Sequence, residues 1–518
     1  MAASLSLRTR RPPPAAPGAD RPSAEDRAPS TEGRTAFWRV AGPGLLVGLV
    51  SAAYGLSEHA LWLDEAYSLG AIHQLGRTLG ATSGTMSLYY LLASVWTLPS
   101  ESVGWMRALS VVLAVAAIGV AVRVAQRVVG DGPARLAGGL TALSFLWFTY
   151  AREARSYALV MLLVAVGWLA VDHGLSSDDG PAAARRWWWV HTLVCAVAPF
   201  AHGLVALQVL PQLVVAATAR PDGATRRALV RSAVATAAST LLLLVVGASD
   251  VGDWVTPLSI AQVRNLAATL TSADPSLSLV LLAVLLWGAV AAGRSAVPLA
   301  GRDRARALVP VMWAVVPVVG LIAVSAARPS MVPRYVVGSV PGVALVLAVG
   351  IFDLAHRHRR AGQVLGAVCV AILLMGTLDA HRQPEDGWTM ARDAVAETAR
   401  PGDALLFGTD EARPAFEAAW RDVDEAPTLR VVGGRALGEV RRFEDDGLPA
   451  PAVRDAAAEE HRVIVVANGA LLDDQESIAA LVHPPDGRAP FHITERWEHP
   501  DGIVVAVVER DGGRRPPG

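Results

Sequence analysis

Apolar runs of membrane length dominate the chain. A helix needs about 20 apolar residues to cross a hydrocarbon core. Such runs recur at 37–57, 105–125, 134–151, 156–172, 187–202, 203–219, 231–249, 277–293, 307–326, 334–352 and 363–380. Eleven spans define a polytopic α-helical membrane protein. The fifth and sixth are short and meet at Ala201-His202-Gly203. Charged residues make up only 18% of the 518, against about 25% in soluble domains. That excludes a soluble enzyme and a disordered chain alike. A formal net charge of −1 gives nucleic acid no electrostatic purchase.

The ends differ from the middle. Residues 1–36 are rich in Pro, Arg, Ser and Asp and lack apolar periodicity, as in a disordered tail. From 381 charge rises and apolar runs shorten. Ala404–Thr409, Thr428–Val432, Arg462–Ala467 and Gly502–Glu509 read as strands. Thr389–Ala399, Glu411–Trp420, Pro451–Glu460 and Gln475–Val482 read as helices. Alternation of this kind predicts a small α/β domain over 381–518. Cys195 and Cys369 both sit inside apolar runs, which argues against a disulfide or a thiolate metal site.

Arginine sets the topology. All 46 basic residues are Arg, which with the abundant Ala, Gly and Val suggests a GC-rich genome of the actinobacterial kind. One set of loops holds Arg123, Arg127, Arg135, Arg185, Arg186, Arg220, Arg226, Arg227, Arg231, Arg294, Arg302, Arg304, Arg306, Arg357, Arg359 and Arg360, and the alternate loops are poorer. The positive-inside rule places the tail in the cytoplasm and, after eleven spans, residues 381–518 outside. The expected outer face then carries the loop 58–104, the corner Tyr150–Tyr157, the loop 250–276 with Asp250, Asp253 and Trp254, and the segment Arg328–Tyr335.

Several residues on that face are suited to chemistry. Asp64 and Glu65 form an acidic pair between Trp62 and Tyr67. Asp64 is either the N-cap of an interfacial helix or a general base or metal ligand facing a wet cavity. In the corner, Arg152, Glu153 and Arg155 oppose the positive-inside rule. They are either a local Arg–Glu clamp or a guanidinium fork for phosphate. Arg107 and Arg334 stand at outer span ends. Each is either a snorkelling anchor or, with Arg155, part of a ring around an anionic headgroup. His202 reads as a core residue or a ligand contact, and Tyr89 and Tyr90 as interfacial aromatics.

The ordered set resembles a known family. Asp64-Glu65, Ser87-Leu88-Tyr89-Tyr90-Leu91-Leu92, Arg107-Ala108-Leu109-Ser110, Ala151-Arg152-Glu153-Ala154-Arg155-Ser156-Tyr157 and Pro333-Arg334-Tyr335 follow one another as in the GT-C glycosyltransferases. The likeness is to the bacterial branch with Rgt-type and protein-O-mannosyltransferase-like membrane domains. Trp254-Val255-Thr256-Pro257-Leu258-Ser259 is similar to the third outer loop of actinobacterial members. The resemblance covers 37–380. It implies transfer of a sugar, with inversion, from a polyprenyl-phosphate donor on the outer face of the cytoplasmic membrane. It makes Asp64 the base or metal contact, with Glu65 beside it as the second catalytic carboxylate. Arg107, Arg155 and Arg334 fall near the donor phosphate, and Arg152, Glu153, Tyr89, Tyr157, His202 and Tyr335 join them as substrate-binding candidates. Many relatives carry His-Pro-Pro before Leu-Tyr-Tyr, whereas this chain has Gly84-Thr85-Met86-Ser87. The expected partners are the donor, membrane lipid, and a glycan, lipid or protein acceptor. A divalent metal near Asp64 is the one cofactor in view. Mannose is the first sugar expected, and arabinose its competitor. The rival class is a lipid or sugar transporter or flippase, which would place ionisable groups near the bilayer midplane.

Overall fold

The computed structural model describes residues 31–510 except 83, 177–179, 247–254, 273, 383–386, 409–411, 422, 424–426, 433–436, 438–454, 458, 469–480 and 483–490. Most of the tail, the loop residues Asp250, Asp253 and Trp254, half of the expected helix Pro451–Glu460 and most of the expected helix Gln475–Val482 lie outside the described residues.

The chain opens with α1 (Thr31–Ala53). Three short helices follow, α2 (Leu63–His73), α3 (Leu75–Ala81) and α4 (Ser87–Trp96). Next come α5 (Val103–Val129), α6 (Asp131–Ala142), α7 (Phe145–Ala151), α8 (Tyr157–Leu175), α9 (Gly180–Val197), α10 (Ala206–Thr218) and α11 (Gly223–Val246). The bundle closes with α12 (Ile260–Thr271), α13 (Pro275–Ala296), α14 (Gly301–Ala327), α15 (Val340–Arg357) and α16 (Arg359–His381). A 3-10 segment, Pro333–Ser339, leads into α15.

Among the described residues, eight helical stretches are long and apolar enough to cross a membrane. The other three expected spans are built differently. The stretch 134–151 is split into α6 and α7, because Ser144 takes extended backbone between them (φ −70, ψ 129). The fifth, α9, starts earlier than expected and draws Arg185 and Arg186 into the helix. The sixth, α10, has 13 residues. Short 3-10 turns at Ala198–Phe200 and Gly203–Val205 join the last two.

The two ends of the bundle are chemically distinct. Arg107 and Arg127 lie 20 residues apart on α5, which at 1.5 Å per residue is about 30 Å, one hydrocarbon thickness. At the Arg127 end, the buried carboxylate of Asp172 on α8 accepts from Arg306 Nε at 2.8 Å and pairs with Arg127. At the Arg107 end stand α2, the corner after α7, and the segment 333–339.

The C-terminal domain consists of α17 (Gly387–Thr398), β1 (Ala404–Phe407), α18 (Ala412–Trp420), β2 (Arg430–Val431), β3 (Arg462–Asn468), β4 (Phe491–Glu498) and β5 (Ile503–Arg510). Its sheet runs β2-β1-β3-β5-β4, parallel from β2 to β3 and antiparallel beyond. β4 escapes a sequence reading because Phe491 is its one buried residue at an otherwise polar edge. One sheet face packs on Trp388, Val395 and Phe416, and the same hydrophobic cluster contains Leu61, Ala66, Leu69, Met106 and Ala154 of the membrane domain. Ala60 N donates to Thr389 Oγ1 at 3.2 Å, and Arg421 to Glu101 at 3.0 Å. The domain therefore sits on the loops that carry Asp64.

Candidate active site

The acidic pair divides into two environments. Glu65 is fully buried. Its Oε1 accepts from Arg107 Nε at 2.9 Å and from Ala154 N at 2.7 Å. Its Oε2 accepts from Arg107 Nη2 at 2.6 Å and from Trp62 N at 3.3 Å. The last bond caps α2, whose N-cap is Trp62 and not Asp64. Arg107 also donates to the carbonyls of Leu56, His59 and Ala60. Glu65 and Arg107 thus tie α2, α5 and the corner together with their hydrogen-bonding capacity turned toward protein. The expected catalytic role of Glu65 and the phosphate role of Arg107 have no open face here.

Asp64 points the other way. It stands in the first turn of α2 with its side chain 16% exposed. Its Oδ2 lies 3.5 Å from Arg155 Nη2 and 3.7 Å from Arg334 Nη2. These are ion-pair distances without a short hydrogen bond, and Oδ2 accepts none. Arg155 Nη1 donates to Asp64 O at 3.1 Å and to Tyr90 Oη at 3.0 Å, which fixes the guanidinium. Arg155 is 8% exposed, and its Nε is buried without a hydrogen-bond partner. Neither reading of a local clamp to Glu153 nor of separate anchors describes this: residues from three segments of sequence meet at one carboxylate.

Aromatic rings wall the cluster. The Tyr150 and Tyr157 rings meet edge-on at 4.7 Å between centroids. Arg334 lies 5.9 Å over the Tyr157 ring and within hydrogen-bonding reach of the Tyr150 hydroxyl. The His202 ring sits 6.1 Å from Tyr157 and 4.7 Å from Tyr335. Gln208 of α10 donates to Tyr335 O at 2.9 Å. Gly338 leaves room for that Gln208 side chain, since a Cβ there would fall 2.1 Å from its Oε1. Tyr89 is more remote: it is buried, and its hydroxyl bonds Ser110 Oγ at 3.1 Å.

The corner is dispersed. Arg152 turns away from Asp64, donating to Gly55 O at 2.8 Å, contacting His381 Nδ1 at 3.2 Å and stacking on Phe148. It braces the ends of α1 and α16, so the expected joint fork of Arg152 and Arg155 does not form. Glu153 Oε2 is buried with no hydrogen-bond partner. Desolvation, with Glu65 and Asp64 nearby, pushes the Glu153 carboxyl well above its usual range. Among the described residues, no three His, Cys, Asp or Glu side chains cluster as a metal site requires. Two guanidiniums on Asp64 suit an anion better than a divalent cation, so the donor set does not fit the metal the sequence allowed for.

Sequence reasoning passed over Tyr90 as an anchor for Arg155, and over Thr85, whose Oγ1 accepts from Gly203 N at 3.1 Å. It also passed over Met86, which holds a left-handed backbone (φ 62) at the start of α4. The Ser259-x-x-Gln262 pattern did offer a signal: it is a capping box that starts α12.

The fold is that of the GT-C membrane glycosyltransferases. ArnT from Cupriavidus metallidurans matches with a TM-score of 0.59 over 92% of this chain and 98% of that one, at 16% identity. The same protein bound to undecaprenyl phosphate gives 0.57 over the same shares, at 15% identity. The arabinofuranosyltransferase AftD from Mycobacteria gives 0.51 over 93% of this chain and 40% of that one, at 15% identity. At these identities the likeness is one of fold. No family model and no curated protein matches the sequence.

Proposed function

We propose that the protein transfers a sugar from a polyprenyl-phosphate donor to a hydroxyl acceptor, with inversion, on the outer face of the cytoplasmic membrane. The observation that carries this reading is the meeting of Asp64, Arg155 and Arg334 at one end of the bundle. A polyprenyl-phosphate sugar leaves a phosphate behind, and the charge that grows there needs fixed donors. Arg155 and Arg334 can supply them. As phosphate draws the guanidiniums toward itself, the Asp64 carboxylate is released to take the proton of the attacking hydroxyl. Asp64 is the base in this reading, and Arg155 and Arg334 hold the donor. Glu65 and Arg107 position α2, and Arg152 braces the corner. Tyr157, Tyr335 and His202 line the donor site, and Glu153 stands beside it with its carboxyl raised well above the usual range.

The ArnT structure with undecaprenyl phosphate supports a lipid-phosphate donor through shared fold. Mannose is the first sugar to test and arabinose the second. A transporter is disfavoured because the clustered charges of the site lie at or beyond the span ends and not midway along them. The test is direct: supply purified protein with synthetic polyprenyl-phosphate mannose or arabinose and an alkyl glycoside acceptor, and follow product by mass spectrometry. Turnover of either donor with an inverted anomeric centre is expected. Movement of intact donor across a proteoliposome bilayer without turnover would establish the flippase instead.

A further inference from the structure

The turn between α9 and α10 carries an imidazole beside Tyr157, the ring that Arg334 overlies. His202 caps the Gly203–Val205 turn, its Nδ1 accepting from Leu204 N at 3.2 Å. An accepting Nδ1 fixes the neutral tautomer, with the proton on Nε2. No described residue accepts from that Nε2. The ring is held from several sides. Tyr335 and Tyr157 flank it, Thr85 pins the next residue through Gly203 N, and Gln208 pins Tyr335. With His202 only 6% exposed, the imidazole is placed before any ligand arrives, which lowers the ordering cost of binding.

Burial and the nearby Arg334 and Arg155 guanidiniums oppose a charged imidazole. A neutral N–H adds a hydrogen bond without adding a third positive charge. Resting on the lipid-phosphate reading above, we propose that His202 is a donor-positioning residue whose Nε2–H bonds the phosphate oxygen that Arg155 and Arg334 hold. This gives the turn between α9 and α10, and the Thr85 hydroxyl that pins it, a share in donor recognition.

Two substitutions separate this role from simple capping. Asparagine can imitate Nδ1 and keep the bond to Leu204 N, but it has no group at the Nε2 position. Glutamine reaches the Nε2 position with an N–H and gives up the cap. The probe is undecaprenyl phosphate without sugar, titrated into the full-length chain in detergent and read by native mass spectrometry beside thermal stability. His202→Asn is expected to keep stability and weaken binding about tenfold to a hundredfold, the range of a lost hydrogen bond to a charged group. His202→Gln is expected to lose some stability and retain the affinity. Wild-type affinity should not rise as pH falls from 8 to 5.5, since the probe's phosphate monoester itself loses negative charge near pH 6 and a neutral His202 adds none. The reverse order, with Asn binding as wild type and Gln weakened, would overturn the proposal and leave His202 a cap. An affinity that climbs as pH drops through 6.5 would overturn the neutral donor. No binding by wild-type protein would instead sink the lipid-phosphate reading on which this one rests.

Discussion

Glu65 and Arg107 form a bidentate pair, with bonds of 2.6 and 2.9 Å between residues 42 positions apart in sequence. The pair is buried, so removing either member strands the other. Arg107→Ala or Glu65→Ala is expected to lower stability by about 3–5 kcal/mol, the usual cost of breaking a buried ion pair. Thermal unfolding in detergent measures it. A folded Arg107→Ala protein of native stability that fails only in donor binding would restore Arg107 to the phosphate.

Asp64 makes looser contacts, so its substitution separates chemistry from folding. Asp64→Asn is expected to leave the unfolding temperature unchanged and to cut turnover by about 10²–10⁴, the typical share of a general base. Wild-type turnover in the folded variant would remove Asp64 from the reaction.

Arg155→Lys tests bidentate geometry at constant charge. The guanidinium bonds Tyr90, the Asp64 carbonyl and, in the proposed complex, phosphate. Losing one charge-assisted bond is worth about 1.5–3 kcal/mol, and each 1.36 kcal/mol is tenfold. Transfer should therefore slow about tenfold to a hundredfold. Unchanged turnover with lowered stability would leave Arg155 a structural residue.

Glu153 sets a pH dependence of stability. Its carboxyl is raised in the folded protein, so the unfolded chain gives up the proton first, near the ordinary value of about 4.3. Stability from this group is complete below that pH and falls as pH rises toward the raised folded value. Glu153→Gln keeps the neutral form at every pH. The variant should match wild type at pH 4 and unfold at a higher temperature at pH 8. Parallel curves would show that Glu153 is already ionised in the folded state.

The proposed orientation has its own test. A reporter fused after Gly518 should be active only outside the cytoplasm. Activity confined to the cytoplasm would invert the topology and move the proposed site to the other membrane face.

What the sequence made legible follows from length scale. Apolar runs read well because a spanning helix needs nearly every residue apolar, and the runs at 105–125 and 307–326 lie wholly inside α5 and α14. The short α10 follows the short sixth run, whereas the break at Ser144 leaves no mark in an apolar stretch, because it is a change of backbone and not of side-chain character. At the site, Arg155 and Arg334 stand out as arginines that oppose the positive-inside rule and Asp64 as half of an acidic pair between aromatics, and the three converge. Adjacent Asp64 and Glu65 looked equivalent in sequence. Their difference comes from helical geometry, which turns successive side chains about 100° apart, one into the core and one toward the cleft. Arg152 and Arg155 are parted by partners at Gly55 and Tyr90, and no local pattern encodes such distant contacts.

The cluster joining Leu61, Ala66 and Leu69 to Phe416, Val505 and Val507 has a consequence for biosynthesis. The helix that presents Asp64 leaves the ribosome long before β5, which completes the packing beneath it. A nascent chain therefore holds its acidic residue on an unfinished support until β5 has paired. The proposed site is thus assembled only when a distant part of the sequence has folded against it, so a defect in β5 would be felt at Asp64.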